Sequence, residues 1–218
     1  MEIIKGYIYS YAYLFGVILS VGVAQKILKF RLEISRKLIH IFIGFTWLIL
    51  LKYHANTWHF IVVPFSFIII NWLSFKFKIF KMYERTDDTK NHYGTIYYAV
   101  AMTMMSAISL LFPVFLMPYG ISVFCLSFGD GAAALFGSLF NKHNFMITKE
   151  KSIVGTLSCA VFTFVGILLF IQIIPVDISL WEILVLSIAT AVLELVGKGL
   201  DNFTIIGGIA LLSSIMLR

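Results

Sequence analysis

Asp130 and Glu194 both lie inside long apolar runs, Asp130 within Phe128-Gly129-Asp130-Gly131 and Glu194 near the end of the run 179–197. A charge at the centre of a bilayer costs about 2.5–3.5 kcal/mol even on the lenient insertion scale, so such acids persist where they face a cavity, a partner or a ligand. Asp201 and Asn202 follow closely. Glu194, Gly197 or Lys198, and Asp201 read as one helical face over two turns. Carboxylates so placed suit a hard divalent cation such as magnesium, which takes one or two carboxylates plus substrate phosphates. Groups suited to anions recur as well. Arg36, Lys37 and His40 are spaced three and four apart, so they share one face of a helix. Lys151, Ser152, Gly155 and Thr156 open another apolar run, and helix N-termini attract anions through free N–H groups and the macrodipole. Asp130, Ala133, Ala134 and Gly137 follow helical spacing, a stripe that by itself serves close helix packing. An acid between Gly129 and Gly131 at its head points instead to a turn that cradles phosphate. Together these groups imply phosphoryl-type chemistry on a nucleotide, with an acceptor arriving laterally from lipid.

The elements that must position these residues are membrane helices. The chain is 60% hydrophobic and 13% charged, with a mean hydropathy of +0.95. Soluble domains are about 45–50% apolar and about 25% charged. Candidate spans are 8–28, 38–52, 58–75, 94–112, 114–137, 153–174, 179–197 and 203–217, the second and last being short. The expected fold is an all-α polytopic bundle of seven or eight transmembrane helices, one catalytic domain over 1–218. The first run reads as a retained helix, since it lacks a small-residue cleavage site. Fourteen of the seventeen Lys and Arg residues fall in the loops 26–37, 76–93 and 138–152 and at Lys198. Only Lys5, Lys52 and Arg218 fall on the other side. The positive-inside rule then places both termini outside and the basic loops in the cytosol. The net charge of +6 serves orientation rather than nucleic-acid binding. Pro113 and Pro118 are expected to bracket a hairpin, and Pro175 to end the sixth span. Asp87 and Asp88 sit in a basic loop and read as solvated. Asn71 joins the cytosolic layer, while His54, His59, Gln172, Asp177 and Glu182 are scattered on the outer side. Cys125 and Cys159 lack any metal-ligand spacing. The chemistry-bearing residues thus converge on the cytosolic edge of the membrane.

The ordered set Arg36-Lys37-Leu38-Ile39-His40, Gly129-Asp130-Gly131-Ala132-Ala133 through Gly137, Lys151-Ser152 with Gly155-Thr156, and Glu194 with Asp201-Asn202 resembles the CTP-dependent lipid kinases. That family holds dolichol kinase, phytol kinase and the yeast-type diacylglycerol kinase, within a superfamily that includes phosphatidate cytidylyltransferase. The resemblance spans roughly 31–215. It implies transfer of the γ-phosphate of CTP to a lipid alcohol (diacylglycerol, phytol or a polyprenol) with magnesium as cofactor. On that basis Asp130 would hold magnesium with Asp201 or Glu194. Lys151, Ser152, Gly155 and Thr156 would grip the triphosphate, with Gly129, Gly131, Ala133, Gly137 and Asn202 completing the nucleotide pattern. Arg36, Lys37 and His40 would neutralise the transferring group, and Glu194 or Asp130 would serve as any general base. Asn141, Glu150 and Val154 depart from the dolichol kinase pattern, which moves the likeness towards phytol and diacylglycerol kinases. The rival readings are cytidylyl transfer, which releases pyrophosphate, and a transporter with buried charges as its relay. The chain has no internal repeat of the kind transporters show.

Overall fold

The computed structural model describes residues 1–77, 94–140, 146–148, 151–197 and 199–217. Most of the basic loop 76–93, including Asp87 and Asp88, lies outside the described residues, as do Asn141, Lys142, Lys149, Glu150, Lys198 and Arg218. Among the described residues the chain is all-α, with a single isolated bridge between Met146 and Ser152. In hydrocarbon every backbone polar group must be satisfied within the chain, and a helix does so segment by segment. The helices are α1 (Glu2–Leu28), α2 (Leu32–Ile43), α3 (Thr46–His54), α4 (His59–Phe77), α5 (Gly94–Leu111), α6 (Leu116–Phe124), α7 (Gly131–Leu139), α8 (Ile153–Ile173), α9 (Leu180–Val196) and α10 (Asp201–Met216).

All eight expected spans are helical, and among the described residues six helical segments are long and apolar enough to cross a membrane. The last two, α9 and α10, have 17 and 16 residues. At about 1.5 Å per residue they fall short of the ~30 Å hydrocarbon thickness. The second span is longer than expected: α2 and α3 run from Leu32 to His54 with a brief interruption at Gly44 and Phe45. Arg36 and Lys37 therefore lie within a helix rather than in the preceding loop. Pro118 is not part of a hairpin but sits in the first turn of α6, where a missing N–H removes no intrahelical bond. Pro175 does follow the end of α8.

The chain divides into two compact units, Met1–Pro113 and Val114–Arg218. In the first, α1 packs on α2, α3 and α4, and α4 packs on α5. Trp47, Leu50 and Phe60 are fully buried there. His54 and His59, expected to be scattered, are gathered around Tyr7. The Tyr7 hydroxyl is 2.6 Å from His59 Nδ1, and the Tyr7 and His54 rings lie 4.7 Å apart. The Asn71 amide donates to the Thr95 carbonyl at 3.1 Å, tying α4 to α5.

In the second unit α8 packs on α7 and α9, and α10 packs on α6 and α9. The stretch that follows Pro113, as far as Leu139, is its buried centre and is far more buried than the other five long apolar segments. Leu157, Val161 and Val165 on α8 recur every four residues and are exposed, as are Leu184, Ile188, Val192 and Val196 on α9. Such stripes suit contact with lipid tails.

Candidate active site

The site is built where α8 begins, where α9 ends and where α10 begins, all against the buried segment. Between α6 and α7 the helix widens into a π-helical turn, Cys125–Asp130, whose last residue is Asp130. Such turns are rare and recur at functional positions. The segment stays helical throughout, so the expected phosphate-cradling turn at Gly129 and Gly131 does not form. Gly131 follows directly with ordinary helical dihedrals, φ −56° and ψ −50°. Gly129 serves close approach instead. A Cβ there would lie 2.3 Å from Thr163 Oγ1 and 3.1 Å from Cys159 Sγ, both on α8. The small-residue stripe continues the contact. A Cβ on Gly155 would meet the Ala133 carbonyl oxygen at 2.9 Å and Gly137 Cα at 3.6 Å. Gly137, Ala133 and Gly155 therefore allow α7 and α8 to cross with their backbones nearly touching.

Ser152 is the N-cap of α8, its hydroxyl accepting the Gly155 N–H at 3.1 Å. The residue before it is equally well held. The Lys151 carbonyl accepts the N–H groups of Ile147 and Thr148 at 2.9 and 3.2 Å, and its own N–H donates to Thr148 Oγ1 at 3.1 Å. This fixes the origin of the Lys151 side chain, whose ammonium donates to Glu194 Oε1 and, at 3.0 Å, to Asp201 Oδ2. The helical face expected for Glu194, Gly197 and Asp201 is broken, because α9 stops at Val196 and α10 starts at Asp201. Gly199 turns the chain between them at φ 89°, a conformation glycine adopts without strain. The two acids meet all the same, because Gly197 has no side chain: a Cβ there would lie 2.0 Å from Asp201 Oδ1. The part Gly197 plays in seating Asp201 was not legible from spacing alone.

Asp130, Glu194 and Asp201 each bring one carboxylate oxygen within 4.8 Å of the others. Asp130 is 8% exposed and Glu194 3%. Acids this buried are costly unless compensated. Lys151 offers one positive charge to the three. Burial alone would push its ammonium pKa down, but Glu194 and Asp201 outweigh that and hold it above the ordinary lysine value. Glu194 Oε2 is buried with no hydrogen-bond partner among the described residues. The donor set consists of hard oxygens and one of them lacks a partner, so these residues fit a divalent cation. The Thr156 hydroxyl, in the first turn of α8, is likewise buried without a partner among the described residues. Asn202 is half-buried at the second position of α10.

Arg36, Lys37 and His40 belong to the first unit, on α2. Arg36 and His40 are four apart on that helix, and the His40 ring meets Tyr98 of α5 edge-on with centroids 4.7 Å apart. Lys151, Ser152, Gly155, Asp130, Ala133, Gly137, Glu194, Asp201 and Asn202 all belong to the second unit.

The sequence is 27% identical over 208 residues to phytol kinase from Synechocystis, a match covering 92% of this chain and 87% of the relative. This chain is a homologue of a lipid kinase. The match to phytol kinase runs through both units and supports the lipid-kinase family that the ordered motifs resemble. No protein-family model and no solved structure matches the chain.

Proposed function

We propose that this chain transfers the γ-phosphate of CTP to the hydroxyl of a membrane lipid alcohol. The observation that carries the reading is the carboxylate cluster of Asp130, Glu194 and Asp201 beside Lys151 and the N-terminus of α8. Phosphoryl transfer asks little covalent chemistry of a protein; it asks for positioning and for neutralisation of charge on the transferring group. A magnesium ion held by the three carboxylates would supply that neutralisation. Lys151, Ser152, Gly155 and Thr156 stand at one helix start, where amides and the macrodipole favour a polyphosphate. A carboxylate of the cluster, Glu194 or Asp130, would accept a proton from the lipid hydroxyl. The preference for CTP comes from the likeness to the CTP-dependent kinases. A phytol-like alcohol is favoured by the homology with phytol kinase.

The test incubates purified protein in detergent with magnesium, CTP or ATP, and a panel of phytol, diacylglycerol and polyprenols. A phosphorylated lipid appearing with CDP is the expected result. Pyrophosphate released from CTP when a lipid phosphate such as phosphatidate replaces the alcohol would identify cytidylyl transfer instead. No product from any alcohol would overturn the kinase reading.

A further inference from the structure

We propose that Lys151 is a resident counter-ion of the cation site, which a divalent cation must displace and which then turns to the nucleotide. The inference rests on reading the carboxylate cluster as a cation site, and it adds an order of events. The Lys151 ammonium contacts Glu194 Oε1 and Asp201 Oδ2, one oxygen on each of two of the acids a cation would use. The three carboxylates lie within 4.8 Å of one another, so a cation among them would sit only a few ångströms from Nζ. Two like charges at that distance repel strongly where the dielectric is low. The ammonium and the cation therefore compete for the negative charge of the same acids.

Three features give the competition a built form. Without a cation, buried acids need a neutralising partner, and removing one half of such a pair is strongly destabilising. Lys151 supplies that partner through its ion pairs with Glu194 and Asp201. Its backbone is pinned on both sides by Ile147, Thr148 and the Ser152 cap, so release requires movement of the side chain alone. A four-carbon stem with a compact ammonium at its end is suited to that movement. The first turn of α8 begins two residues later, so a released ammonium stays within reach of an anion there. Glu194 Oε2 lacks a hydrogen-bond partner among the described residues. The cluster thus retains ligand capacity that the lysine does not use.

The test follows manganese binding by electron paramagnetic resonance on detergent-solubilised protein, without nucleotide, for the wild type and Lys151→Gln. Competition predicts that Lys151→Gln binds manganese more tightly, on the order of tenfold, a usual size for coupling between two ligands. A second measurement needs no variant: acylation of the Lys151 amine in the wild type, followed by mass spectrometry, should rise as manganese is added. If the wild type binds manganese while Lys151→Gln binds it no tighter and Lys151 acylation does not change, the displacement is refuted and the cation site stands. If neither protein binds manganese, the cation site itself fails and the inference falls with it.

Discussion

At the scale of single residues, the acids and the lysine of the site were legible in the sequence, because an ionisable group in an apolar run is expensive and therefore informative. Their partnerships were not. Lys151 reads as a phosphate-gripping residue when only its helix is considered. Its ion pairs with Glu194 and Asp201 reach 43 and 50 residues along the chain, which no local pattern encodes. The residue that tests the assignment most directly is Asp130. Asp130→Asn keeps shape and removes one charge from a cluster of three acids. Asparagine matches aspartate in size, so the variant should still insert in the membrane and fold. Lipid phosphorylation should fall on the order of 100-fold or more, the usual cost of removing a charge-stabilising group from a reacting centre. Near-wild-type turnover would exclude Asp130 as a metal ligand.

Among the elements, hydropathy located the six long apolar segments and the two shorter helices α9 and α10, and the Ser152 cap and the end of α8 before Pro175 followed from ordinary helix signals. The π-helical turn had no signal of its own, and Gly129 within it was read for freedom when it serves closeness. This distinction can be tested within one unit. Gly155→Val places branched carbon against the Ala133 carbonyl and Gly137, which should cost about 1–3 kcal/mol as an overpacked contact. Gly207 on α10 has nothing within 4 Å of the Cβ position. Gly207→Ala should be neutral or stabilising, by up to about 1 kcal/mol, since alanine favours the helix. Thermal midpoints in the same detergent would compare the two. Equal midpoints would mean that the α7–α8 crossing is not the tight contact described.

For the whole molecule, the all-α membrane architecture was written in composition, whereas the count of long spans was blurred by two helices too short for a full crossing. Orientation depends on the asymmetry of Lys and Arg, much of it in the loop 76–93. Cys125 and Cys159 are buried, so introduced cysteines can be labelled against a low background. On the positive-inside expectation, Arg31→Cys should resist a membrane-impermeant thiol reagent added to intact cells, and Asp177→Cys should react. The opposite pattern would invert the topology and move the carboxylate cluster to the outer face.

The widened turn at Cys125–Asp130 also means that the chain specifies this site by counting as well as by chemistry. An α-helix advances about 100° with each residue, so loss of one residue between Cys125 and Gly129 would swing everything beyond it by that angle. Asp130 would keep its identity and its depth and yet face a different neighbour. Insertions and deletions, more than substitutions, are the changes this segment is least able to absorb.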